Sequence, residues 1–91
     1  MVDPNKPVVI SSHARERMIQ RGTTASEVEY AIHNGAWQQL ESQRWHARHR
    51  FVFSGASPVN QKVYVYKAVD VVFLERRNDI LVVTVKVFYQ N

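Results

Sequence analysis

At Gly35 the sequence changes period, and that change constrains the fold more than any other feature. Before it, Val28, Ala31 and Ile32 fall at i, i+3 and i+4, the spacing of a helix face turned to a core. After it, apolar and polar residues alternate and β-branched and aromatic residues dominate, as in strands. Helical period first and strand period afterwards predicts an α+β domain rather than a repeating βαβ unit.

The boundaries follow from local chemistry. Ser11 and Ser12 offer an N-cap oxygen, His13 to Arg21 contains neither Gly nor Pro, and Gly22 is the expected left-handed stop. Thr24-Ala25-Ser26-Glu27 reads as a capping box, and Asn34-Gly35 closes the helix it opens. Helices are therefore predicted at Ser12–Arg21 and Thr24–Asn34. Val8-Val9-Ile10 reads as an extended segment against the core. Strands are predicted over residues 36–42, 44–54, 62–75 and 80–89, with a hairpin loop at Ser54–Asn60 and a polar turn at Arg76–Asp79. The third is long for one strand, which predicts a bend or bulge near Lys67-Ala68. The last is the most apolar, which predicts a central place. The expected fold is two N-terminal helices packed on a four-stranded antiparallel sheet, in the order ααββββ. At 91 residues, one domain is expected over 1–91, with 1–7 a flexible leading segment.

Side-chain parity predicts a two-faced sheet. Phe51, Phe53, Val63, Val65, Val69, Val71, Phe73, Leu81, Val83, Val85 and Val87 are odd and apolar, the face expected under the helices. His46, Arg48, Arg50, Tyr64, Tyr66, Asp70, Thr84 and Lys86 are even, a basic and aromatic face expected to be wet.

Composition narrows the function. No cysteine is present, so disulfides and thiolate metal sites are excluded. No apolar run reaches the roughly 18–20 residues of a membrane span, and the first residues lack the apolar stretch of a signal peptide. A cytoplasmic protein without membrane contact is expected. The net charge is +4, and eight of the twelve cations are Arg, which suits two-point contact with phosphate. Small basic domains of this kind often meet nucleic acid.

Two basic rows carry the chemistry. His13, Arg17 and Arg21 are spaced i, i+4, i+8 and share one helix face, while Ala14 and Met18 anchor the neighbouring stripe. Guanidiniums bind phosphate oxygens, and histidine exchanges a proton near neutrality. RNA brings its own nucleophile, the 2′-hydroxyl. Its metal-free cleavage needs a base, an acid and cations for the extra transition-state charge. The second row alternates along a strand as Arg44, His46, Arg48 and Arg50, with Trp45, Tyr64 and Tyr66 available for stacking. Each row also has a plain structural reading, as a solvated helix face or as an edge strand guarded by charge. A metal site would have to be drawn from His13, His33, His46 and His49. The closest pair, His46 and His49, falls on opposite strand faces. No metal and no cofactor are expected.

The run Ser12-His13-Ala14-Arg15-Glu16-Arg17-Met18-Ile19-Gln20-Arg21-Gly22, with Glu27 to Ile32, Asn34-Gly35 and the terminal Ile80-Leu81-Val82-Val83-Thr84-Val85, resembles a bacterial domain-of-unknown-function family, numbered forty-two fifty-eight. The likeness runs from Ser12 to Val87. That family in turn resembles the RelE-like and colicin-like ribonuclease toxins. The resemblance implies His13, Arg17 and Arg21 as the site row, with Thr84 on the last strand facing it. The expected function is a metal-independent endoribonuclease, the toxin of a toxin–antitoxin pair. Its partners would be RNA and a cognate antitoxin, with His46, Arg48, Arg50 and Lys86 as further RNA contacts. The alternative is a non-catalytic module that binds RNA or an acidic protein. If His13, Arg17 and Arg21 act, they should line a groove opposite polar residues of the last strand, because proton-transfer groups must reach one bound phosphodiester.

Overall fold

The computed structural model describes residues 6–41 and 43–91. Seven elements follow in order: β1 (Val8–Ile10), α1 (Ser12–Arg21), α2 (Ala25–Asn34), β2 (Trp37–Glu41), β3 (Arg44–Ala56), β4 (Val63–Glu75) and β5 (Ile80–Gln90). The five strands form one mixed sheet ordered β1-β5-β4-β3-β2.

This corrects the expected four-stranded antiparallel sheet. Val8–Ile10 is a fifth strand, paired parallel with β5, Val8 opposite Ile80 and Ile10 opposite Val82. The Ile80 amide donates to Pro7 O and the Ser11 amide to Val82 O, at 2.9 and 3.1 Å, extending that pairing at both ends. Three residues are too few to show a period of their own, and their partner lies at the far end of the chain. The central strand is β4 rather than the more apolar β5. The expected flexible segment 1–7 falls mostly outside the described residues. Of its described members, Pro7 is held as above and Lys6 Nζ donates to Arg76 O at 3.0 Å and pairs with Glu75 at 3.3 Å.

The helices form where their caps place them. Ser11 Oγ accepts from the Ala14 amide at 3.1 Å, opening α1. Gly22 ends it at φ 82°, its amide bonded to Met18 O. A Cβ there would stand 2.6 Å from Tyr89 Oη and 2.7 Å from Pro58 Cγ, so the position needs glycine for space as well as for backbone angle. Thr24 and Glu27 close a reciprocal capping box on α2, at 3.2 and 3.1 Å.

Both helices bury one stripe against one face of the sheet. Ala14 and Met18 of α1, and Val28, Ala31 and Ile32 of α2, meet Ala47, Val69, Val71, Phe73, Ile80, Val82 and Val85. The odd-numbered pattern holds through this stretch of β3 and β4 but fails on β5. Val72 pairs with Thr84 and Phe73 with Val82, so Val83 is an extra residue, a bulge. Below it the buried residues are the even Ile80 and Val82, and Leu81 and Val83 leave the core. Val63 and Val65, also expected to be buried, are 71% and 46% exposed beside the hairpin loop. The irregularity expected near Lys67-Ala68 is absent from β4, which runs unbroken for 13 residues. Its neighbours take up the mismatch, at Val83 on β5 and between Val52 and Gly55 on β3, where Ser54 has φ 51°.

One charge is sealed into the covered face. Lys67, 6% exposed, donates to Gly22 O at 2.8 Å and pairs with Glu27 Oε1 at 2.8 Å. That oxygen also accepts from Thr23 Oγ1 at 3.0 Å. Burial pushes the Glu27 carboxyl up. The bonds from Lys67, the Thr24 amide and the Thr23 hydroxyl outweigh it and hold the carboxyl below its ordinary value. The α1–α2 junction is thereby tied to the middle of the sheet.

Candidate functional site

The other face of the sheet carries no helix among the described residues. Cross-strand partners share a face, so register assigns its rows. Glu41, Arg44, Leu74 and Leu81 form one row; Gln38, His46, Val72 and Thr84 the next. Arg48, Asp70 and Lys86 follow, then Arg50, Ala68 and Phe88. The bulge at Val83 puts Thr84 here, because it lets Val82 and Val85 both face the core.

In the middle of this face His46 Nδ1 lies 3.0 Å from Asp70 Oδ1, with the two side chains 23% and 13% exposed. In the tautomer that donates from Nδ1, the carboxylate fixes the ring and Nε2 is the acceptor. Asp70 is the carboxylate beside His46, and Glu41 stands opposite Arg44 at the β2 edge. Arg48 and Lys86 are the direct cross-strand neighbours of Asp70, and Arg44 and Arg50 flank them along β3. Four cations against two carboxylates leave the face positive, a field that draws anions. Arg48 Cζ stands 4.7 Å over the Phe88 ring and Arg50 Cζ 4.4 Å over the Tyr66 ring. These contacts hold the guanidiniums in place without neutralising them.

The structure thus brings together His46, Arg48, Arg50, Thr84 and Lys86. It separates them from the helix row, because α1 packs against β5 from the covered side. There Arg21 Nη1 donates to Val85 O at 2.6 Å and Arg17 Nη1 to Gln20 Oε1 at 2.9 Å, while His13 is exposed. Thr84 therefore projects from the face opposite the one α1 covers, rather than toward His13 and Arg17.

The expected stacking residues divide in the same way. Tyr66 is on the open face. Trp45 packs against Trp37 at 6.0 Å on the covered side, and Tyr64 lies 5.6 Å from Tyr89. His49 is enclosed by Tyr30 and Phe51, at 4.8 and 4.7 Å, on the face opposite His46. Among the described residues, no three His, Cys, Asp or Glu side chains gather where they could hold a metal ion.

Two residues of the face escaped the sequence reading as members of a site. Asp70 is an acid among the apolar Ala68, Val69, Val71 and Val72, a signal that a buried or half-buried partner is waiting. Phe88 sits in the last strand at an even position, out of phase with the core valines above the bulge.

Fold and site together define an α+β protein of two helices on a mixed sheet, whose uncovered face holds an imidazole–carboxylate pair among cations. The chain belongs to the family described as Domain of unknown function (DUF4258), whose model matches residues 10–87. That span takes in the α1 motif, the whole open face up to Val87, and the core. No curated protein and no solved structure matches the chain.

Proposed function

We propose that the open face binds RNA and cleaves it without a metal, as a metal-independent endoribonuclease. One observation carries the reading: His46 is oriented by Asp70 and surrounded by Arg44, Arg48, Arg50 and Lys86, with Thr84 in its own row. In the reaction, the 2′-oxygen bonds to phosphorus as the bond to the 5′-oxygen breaks, giving a 2′,3′-cyclic phosphate and a 5′-hydroxyl. His46 Nε2 takes the 2′-hydroxyl proton, and Asp70 stabilises the imidazolium that forms. Arg48 and Arg50 hold the phosphate oxygens, where negative charge grows. Lys86 is the acid that gives the 5′-oxygen its proton. We propose further a cellular role as the toxin of a toxin–antitoxin pair, restrained by an antitoxin protein, on the resemblance of the chain's family to the RelE-like ribonuclease toxins.

The test is incubation of RNA with the purified chain in EDTA. Cleavage that persists in EDTA, yields cyclic-phosphate ends and falls by roughly 10²–10⁴ in His46→Ala supports the reading. Intact RNA at high protein concentration, or full activity in His46→Ala, defeats it. A second reading, an RNA-binding module without chemistry, is favoured by one fact: His46 is the only imidazole in the four rows of this face. It wins if the protein binds RNA with a log–log salt slope of about −0.7 per phosphate neutralised on a single strand, yet never cuts.

A further inference from the structure

Phosphate clamps explain only half of the open face, because in them Phe88 and Tyr66 do no more than hold Arg48 and Arg50. Phe88 is 42% exposed on an uncovered strand face, where a phenyl ring contributes little to the core. Each ring instead carries a guanidinium, Arg48 over Phe88 and Arg50 over Tyr66. Ala68 stands in register between Arg50 and Phe88, so a single methyl group separates the two units on β4. Guanidinium planes and aromatic rings are the surfaces on which proteins stack unpaired bases.

The units lie over different strands, Phe88 on β5 and Tyr66 on β4. A duplex keeps its bases paired and stacked on one another, whereas unpaired bases are free to seat on guanidinium–ring units. We infer that the ligand of this face is single-stranded RNA, with two successive bases seated on the Arg48–Phe88 and Arg50–Tyr66 units and the adjoining phosphate within reach of His46. The inference rests on the RNA-binding reading of the same face and adds the strandedness of the substrate and the residues that read it.

Fluorescence anisotropy tests it with a short unstructured 2′-O-methyl oligoribonucleotide, which has no 2′-hydroxyl nucleophile and stays intact. Its duplex and inorganic polyphosphate are the comparison ligands. The single strand should bind at least about tenfold tighter than the duplex. Phe88→Leu and Tyr66→Leu keep apolar bulk at exposed or half-exposed positions. Each should weaken the single strand on the order of tenfold and polyphosphate by a clearly smaller factor. Duplex bound as tightly as single strand, or Leu variants that bind the single strand like the wild type, would overturn the stacking inference while leaving the phosphate-binding face intact. A wild-type protein that binds none of the three ligands removes the RNA reading and this inference together.

Discussion

Lys67 and Lys86 stand on neighbouring strands of one sheet, yet they lead different lives. Lys67 points to the covered face, where Glu27 and the Gly22 carbonyl hold its ammonium. Lys86 points to the open face, exposed, and shares Asp70 as a neighbour with Arg48 and His46. On one side of the sheet the charge is matched group for group, and its work is to fix α1 and α2 in place. On the other, Arg44, Arg48, Arg50 and Lys86 outnumber Asp70 and Glu41, and the excess faces outward. A small domain with few polar residues to spare keeps such an excess at the cost of self-repulsion, which an anionic ligand relieves.

Substitutions on each face should separate these two roles. The largest effect is expected from His46→Ala, which should lower cleavage by roughly 10²–10⁴ with little change in melting temperature. The converse, Glu27→Gln, should destabilise the fold by roughly 1–3 kcal/mol by leaving the Lys67 ammonium without its carboxylate, and should not alter RNA affinity. Its pH dependence has a defined sign. The carboxyl of Glu27 is held below its ordinary value in the folded state, so its contribution is fully present above the ordinary glutamate range and is lost as pH falls through the lowered value. Thermal melts of the wild type and Glu27→Gln should therefore differ near neutrality and converge in acid; a gap that persists in acid contradicts the lock. Thr24→Ala, which removes the α2 cap, should cost about 1 kcal/mol by chemical denaturation. The smallest effect is expected at Arg17→Ala, within about 0.5 kcal/mol in stability, because Arg17 bonds only Gln20 among the contacts described for it. If Arg17→Ala or His13→Ala abolishes cleavage while His46→Ala does not, the comparison of the two sheet faces breaks and the helix row is the site.

The helices were legible because their signals are local. Ser11, Gly22, Thr24 and Glu27 announce the ends of α1 and α2 within four residues of where they act. The membership of the open face was also largely legible, since His46, Arg48, Arg50, Tyr66, Asp70, Thr84 and Lys86 share even parity. What alternation could not supply was register. The bond between His46 and Asp70 crosses from β3 to β4 on a diagonal, and only the pairing of Arg48 with Asp70 makes it reachable. The bulge at Val83 likewise leaves no mark in composition, because Val82, Val83 and Val85 are the same residue type and any of them suits a core. The family motif on α1 drew attention to His13, Arg17 and Arg21, but a motif says which residues lie together on a helix and nothing of the side of the sheet the helix occupies.

The pairing of β1 with β5 has a consequence for biosynthesis. Residues 8–10 are made before residues 80–82 and must wait for them before they find their partner. Thr84, Lys86 and Phe88 emerge later still, and with them the third strand of the open face. A nascent chain that has exposed His46 and Asp70 therefore has the centre of the site without its far wall, and the hydrophobic stripes of α1 have no β5 to cover. Assembly of the face is coupled to the arrival of β5, so the site becomes competent in one step rather than by degrees.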